Sequence, residues 1–159
     1  MKAKEGILDM LNDILTSELT KVNQYFVHAE MCRNWGYERL YKKIRTESIR
    51  EMKHAERIIE HILYLEGVPN MQRLGDVLVG ETVPEQLKLD LKKEQDSAVS
   101  LNKAIAKCTA AGDNNTRHKL EEMLEEAEEQ IDWLETQLEA IRQVGLENYL
   151  SEQLKKEES

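Results

Sequence analysis

The chain has 159 residues, a net charge of −9, 33% charged residues, 7 glycines and 2 prolines. That length suits one domain, residues 1–159, with a sizeable core, and so little Gly and Pro favours long helices over strands. The acidic balance argues against nucleic acid and anionic membrane surfaces, and no stretch reaches the roughly 20 apolar residues of a membrane span.

No apolar run follows Met1, so a cytoplasmic protein is the expectation. Cys32 and Cys108 stand far apart without a CxxC, which suits buried free thiols rather than a disulfide framework or a zinc site. Taken in order, the spacing predicts a first helix over about 4–34. Its apolar stride runs Ile7, Leu11, Ile14 or Leu15, Glu18, Val22, Tyr25 and Ala29. Glu18 therefore takes a core position, and Tyr25, two turns on, is placed to hydrogen-bond a carboxylate there.

The second helix, about 38–65, repeats the anomaly. Its inner stride is Leu40, Ile44, Ser48, Glu51, Ala55, Ile58, Ile62 and Leu65, so Glu51 also lies where the helix should be buried. His54 follows three residues later on the same face, within reach of one ion. A second apolar stripe, Ile49, Met52, Ile59 and Leu63, faces elsewhere and calls for a second packing partner.

The connection over 66–81 is about sixteen residues, longer than antiparallel neighbours need; it is long enough to cross a bundle and set the third helix parallel to the second. Val77-Leu78-Val79 is read as packed on the surface rather than as a strand. The third helix opens on Thr82-Val83-Pro84-Glu85, a capping box with Pro in the first turn. Its stride of Leu87, Leu91, Glu94, Ala98, Leu101, Ile105 and Cys108 again contains a glutamate. In the fourth helix, about 115–144, the corresponding position is Ala127, and Gln130 stands three residues on. A short fifth helix is expected over 146–154. The glutamate-rich run 121–129 reads as a solvated face, and Glu47, a turn from Glu51, as a structural ion-pair partner.

A buried carboxylate costs several kcal/mol unless compensated. One glutamate on an apolar stride is ordinarily an edge residue, but three in register on three helices, one with Glu-x-x-His, form the pattern of a metal site inside an all-α four-helix bundle. Carboxylates with an imidazole suit iron or manganese, with zinc as an alternative. His28, His61 and His118 lack a glutamate three residues before them and are assigned no chemistry.

The segments Asn23-Gln24-Tyr25-Phe26-Val27-His28-Ala29, 47–55, Ile62-Leu63-Tyr64-Leu65-Glu66-Gly67-Val68-Pro69-Asn70, Ile131-Asp132-Trp133-Leu134-Glu135-Thr136 and Val144-Gly145-Leu146-Glu147-Asn148-Tyr149-Leu150 resemble bacterioferritin. The likeness spans nearly the whole chain. It implies a ferritin-like bundle with a long crossover, assembled as a 24-subunit cage that takes up ferrous iron and stores ferric mineral. It also implies haem b at a two-fold interface, with Met52 matching the axial ligand given by each subunit, and a ferredoxin-type reductant. The family's di-iron ferroxidase ligands fall on Glu18, Glu51, His54 and Glu94. At Ala127 and Gln130 the family has Glu and His, so the resemblance implies an incomplete site. No catalytic residue is therefore assigned, and oxidation by this chain alone is expected to be weak or absent. Any residual activity would draw on Glu128 or Gln130 with water, and restoring both ligands, Ala127→Glu with Gln130→His, is expected to recover fast oxidation. A non-catalytic, haem-carrying subunit sharing a mixed cage with an active partner is the alternative reading.

Overall fold

The computed structural model describes residues 1–154, so the last residues of the expected 1–159 domain lie outside the described residues. Five helices follow one another: α1 (Ile7–Trp35), α2 (Glu38–Tyr64), α3 (Val83–Ala111), α4 (Asn114–Val144) and α5 (Leu146–Gln153). There is no strand among the described residues. The signals read from the sequence set the boundaries. Thr82 caps α3 by accepting the Glu85 N–H, Asp113 caps α4 by accepting the Thr116 N–H, and α1 begins at Ile7, after a turn at Gly6, rather than at residue 4.

Packing defines the direction of each helix. Ile7 and Leu11 from the start of α1 share one core with Ile62 and Leu65 from the end of α2, Cys108 from the end of α3, and Leu120 from the start of α4. Cys32, Leu40, Leu87, Leu134 and Tyr149 close a second core at the other end. So α1 and α4 run one way and α2 and α3 the other, the parallel α2–α3 relation that a long crossover permits. Between the two apolar ends lies a buried polar layer of Glu18, Lys21, Glu51, His54, Glu94 and Gln130. α5 folds back so that Tyr149 fills the second core, its hydroxyl donating to Gln137 Oε1 at 2.7 Å.

The crossover is irregular but fixed. A polar stripe at four-residue spacing on α1, Asn12, Thr16, Thr20, Gln24 and His28, holds it rung by rung. Asn12 Oδ1 accepts the Asn70 N–H at 2.7 Å and Thr16 Oγ1 accepts from Arg73 Nε at 2.9 Å. Thr20 Oγ1 takes the Gly75 N–H at 3.1 Å, Gln24 Oε1 the Leu78 N–H at 3.0 Å, and His28 Nε2 the Gly80 N–H at 3.0 Å. Gly80 is tied down further by Gln86 Nε2, which donates to its carbonyl at 3.0 Å. A Cβ at residue 80 would lie 2.6 Å from the Gln86 backbone nitrogen, so only glycine passes there. Val77, Leu78 and Val79 stay partly exposed on the surface, as the sequence suggested.

Candidate metal centre

Glu18 from α1, Glu51 and His54 from α2, and Glu94 from α3 converge in the polar layer, each no more than 2% exposed. One ligand atom from each of Glu18, Glu51 and His54 lies within 4.8 Å of the others, and Glu47, Glu51 and Glu94 form a second such group. The helical register explains the convergence. Glu47, Glu51 and His54 stack on one face of α2 at spacings of four and three, and that face packs on the side of α1 that carries Glu18. Tyr25 hydrogen-bonds a carboxylate as expected, though the acceptor is Glu94 Oε1, at 2.7 Å, rather than Glu18.

A lysine that the stride had passed over sits among these carboxylates. Lys21 is 2% exposed, and its Nζ lies 3.2 Å from Glu18 Oε1, 3.3 Å from Glu51 Oε2 and 3.5 Å from Glu94 Oε2. The same ammonium donates to Ser97 Oγ at 3.0 Å. His54 is equally engaged: Nδ1 lies 3.2 Å from Glu51 Oε2 and 3.4 Å from Glu18 Oε2, while Nε2 bonds Glu126 Oε2 of α4.

The electrostatics follow from burial set against these pairings. Burial alone would raise Glu18, but Lys21, with help from Glu51 and His54, holds its carboxyl at about 2. Glu51 shifts upward, through burial first and then the neighbouring Glu18 charge, against the pull of Lys21. Burial raises Glu94 to about 7, with Lys21 opposing. Burial and Glu51 raise Glu47 to about 7, although Arg50 pairs with it at 3.0 Å. Burial would lower His54, yet Glu18 and Glu51 lift it to about 10, so an imidazolium stands between carboxylates on both sides. Lys21 rises well above the ordinary lysine value, because its three glutamates outweigh desolvation. Lys21 and His54 thus set two cationic partners from the chain itself among Glu18, Glu51 and Glu94.

The α4 wall offers less. Ala127 is buried in the first apolar core. Gln130 donates from Nε2 toward the Tyr25 hydroxyl at 3.4 Å, while its Oε1 is buried without a hydrogen-bond partner. Glu128, suggested by the sequence as a substitute ligand, is exposed; Glu126, half-buried one turn before Gln130 on its face, is the α4 carboxylate that points inward. Glu47 is the ion-pair residue expected of it, with Arg50 reaching on to the Glu126 carbonyl. Two histidines set aside in the sequence are structural: His28 bridges Asp90 and Gly80, and His61 hydrogen-bonds Thr116 at 2.7 Å.

Met52 points away from the layer. It is 52% exposed on the outer stripe of α2, where Leu63 is also exposed and Ile49 and Ile59 are half-buried. Among the described residues no element covers that stripe, consistent with the second packing partner its pattern calls for.

No helix among the described residues is long and apolar enough to cross a membrane. The ferritin-like domain family matches residues 8–144. The chain is 44% identical to a bacterioferritin of Mycobacterium leprae and to bacterioferritin BfrA of Mycobacterium tuberculosis, each over 149 residues and 94% of both chains. It is 40% identical to a bacterial ferritin of Synechocystis over 155 residues, 97% of this chain and 99% of that one. Five helices with a pinned crossover, a central carboxylate layer and full-length likeness at this level make the chain a member of the ferritin-like family, among the bacterioferritins.

Proposed function

We propose that this chain is an iron-storage subunit of a cytoplasmic, haem-binding bacterioferritin cage of 24 subunits, with an incomplete di-iron ferroxidase site. Ferrous iron is its cargo, stored as ferric mineral. The observation that carries the reading is the α4 wall, where the buried positions 127 and 130 hold a methyl group and an amide, Ala127 and Gln130. Ala has no donor atom and the Gln amide oxygen is a weak neutral one. By donor type Glu18, Glu51 and His54 would make a set for a single ion, with Glu94 as a weak further ligand, were Lys21 not already paired with the three glutamates. A pair of ions does not fit these residues, and no oxidation step is assigned to them.

Met52 supports the haem part of the reading. Its thioether is exposed rather than spent in the core, so two copies meeting on this stripe would hold haem b between their sulfurs. Bound there, haem would supply one-electron transfer, and the chain's own part is to grip it and shield it with the apolar stripe. Met52→Leu keeps size and apolarity while removing the sulfur, so the purified cage should lose its haem absorption and keep its assembly. Undiminished haem in that variant would refute the assignment.

The homomeric cage should oxidise ferrous iron at least about tenfold more slowly than a cage with a full ligand set, a barrier about 1.4 kcal/mol higher. Oxygen consumption at the full-set rate would overturn the reading. A second reading, co-assembly with an oxidation-competent bacterioferritin subunit, is favoured by the uneven loss. The ligands on α1, α2 and α3 and the outer stripe of α2 remain, while both α4 ligands are gone, and one cavity serves every subunit. Native mass spectrometry of cages from the source organism tests it, since a single chain mass would exclude mixed assembly.

A further inference from the structure

Lys21 changes what the cluster is. Its ammonium touches all three glutamates that the site reading depends on, and Ser97 Oγ completes four oxygen partners around one nitrogen. A buried lysine has to find such partners, and buried glutamates have to find a cation. Each meets that need here without any external ion. His54 reinforces the arrangement, because each ring nitrogen faces a carboxylate: Glu51 and Glu18 at Nδ1, Glu126 at Nε2.

We propose that Lys21 is the resident counter-cation of this centre, an internal substitute for metal that blocks tight divalent-ion binding inside the bundle. The inference rests on reading the cluster as a ferritin-type metal position and goes beyond the missing α4 ligands. The geometry sets the two occupants in competition. A divalent ion ligated by Glu51 Oε2 at about 2.1 Å stands no more than roughly 5.5 Å from an ammonium 3.3 Å from the same oxygen. Both draw on Glu18 as well. Metal that takes Glu18 and Glu51 therefore leaves the ammonium only Glu94 and Ser97, and sets two cations close together in a buried site. Restoring ligands on α4 alone would leave that obstacle in place, so Ala127→Glu with Gln130→His is insufficient to rebuild the site.

The test uses metal-free cages titrated anaerobically with Co(II), whose visible absorption reports protein ligation, and needs no turnover. Unsubstituted protein should show no tight site inside the bundle. Lys21→Ala should bind about one Co(II) per chain at least about tenfold more tightly than unsubstituted protein, and Glu51→Gln in that background should abolish the gain, which separates the bundle from surface carboxylates. Ala127→Glu with Gln130→His should leave the stoichiometry unchanged until Lys21→Ala is added, when it should approach two. If Lys21→Ala fails to assemble without metal, it is produced with Co(II) present, alongside Lys21→Met combined with Glu94→Gln, which removes one charge of each sign. Assembly of either supports the proposal, and failure of both overturns it. The proposal also falls if unsubstituted protein binds Co(II) as tightly as Lys21→Ala in a manner abolished by Glu51→Gln, or if Lys21→Ala gains no affinity. Haem content and ferrous oxidation by the unsubstituted cage stay outside this comparison, so either reading can fail without the other.

Discussion

Helix α1 carries two polar stripes that solve the same problem differently. Asn12, Thr16, Thr20, Gln24 and His28 face the crossover and are met mostly by backbone N–H groups of residues 70–80, with the buried Asp90 carboxylate also accepting from Gln24 and His28. Glu18, Lys21 and Tyr25 face the bundle interior and are met by charged side chains from α2 and α3. The first stripe shares its bonding among separate rungs, so one lost rung leaves the others intact. The second concentrates charge around one nitrogen, so its members stand or fall together. A neutral stripe paired with backbone is a fastening. A charged stripe closed by its own lysine is a binding site turned into structure.

The sharpest way to break this contrast is Lys21→Met, which keeps most of the aliphatic stem and removes the charge. Three glutamates then lose their common partner, and the metal-free protein should be destabilised by about 3–5 kcal/mol, the usual cost of orphaning a buried ion pair. Thermal unfolding measures it. Added Zn(II) should recover most of that loss in Lys21→Met and little in the unsubstituted protein. A loss well under 1 kcal/mol would mean that the glutamates are satisfied without Lys21.

Much of this was legible in the sequence, for physical reasons. Glu18, Glu51 and Glu94 announce themselves because a carboxylate on an apolar stride is expensive, and His54 follows from helical spacing. Lys21 does not announce itself. A long aliphatic stem carries its charge far from Cα, so a lysine's place on a helical wheel says little about where its nitrogen ends. The stride reading took Val22 at that turn, although Lys21 lies three residues after Glu18 and four before Tyr25 on one face. Glu126 was missed in favour of Glu128 for a related reason, since a run of glutamates reads as solvated throughout. The crossover rungs were hidden because their donors are mainly backbone N–H groups, which have no residue signature; the four-residue spacing of Asn12, Thr16, Thr20, Gln24 and His28 was the available clue.

On the neutral stripe, His28 is the rung with most to lose. Its Nδ1–H donates to Asp90 Oδ1 at 2.8 Å, which leaves Nε2 to accept from Gly80 at 3.0 Å, so the two bonds fix one tautomer. His28→Ala opens a cavity and leaves the Gly80 N–H buried without a partner, while Gln24 Nε2 still serves Asp90 at 2.9 Å. The expected loss is about 2–3 kcal/mol, smaller than for Lys21→Met, and Zn(II) should not recover it. Recovery by Zn(II) in His28→Ala would erase the distinction between the stripes, because metal would then be acting on the protein as a whole.

The mildest break is Thr20→Val, which keeps the shape of the side chain and its stiffness at χ1 while deleting one hydroxyl. That hydroxyl donates to the Thr16 carbonyl at 2.7 Å and accepts the Gly75 N–H at 3.1 Å. The Thr16 carbonyl is the easier loss, because a helical carbonyl keeps its intrahelical bond. The Gly75 N–H is left facing a methyl group. Residue 75 lies so close to α1 that a Cβ there would come within 2.7 Å of Thr20 Oγ1, which leaves little space beside the glycine. The cost should be about 1 kcal/mol, and it should be local. Amide hydrogen exchange at Gly75 is expected to quicken by about fivefold, the factor matching that energy, while Gly80 keeps its protection through His28 and Gln86. Thermal unfolding should barely move. If Gly80 lost protection together with Gly75, the rungs would open as one unit, and the neutral stripe would share the all-or-none character of the charged one.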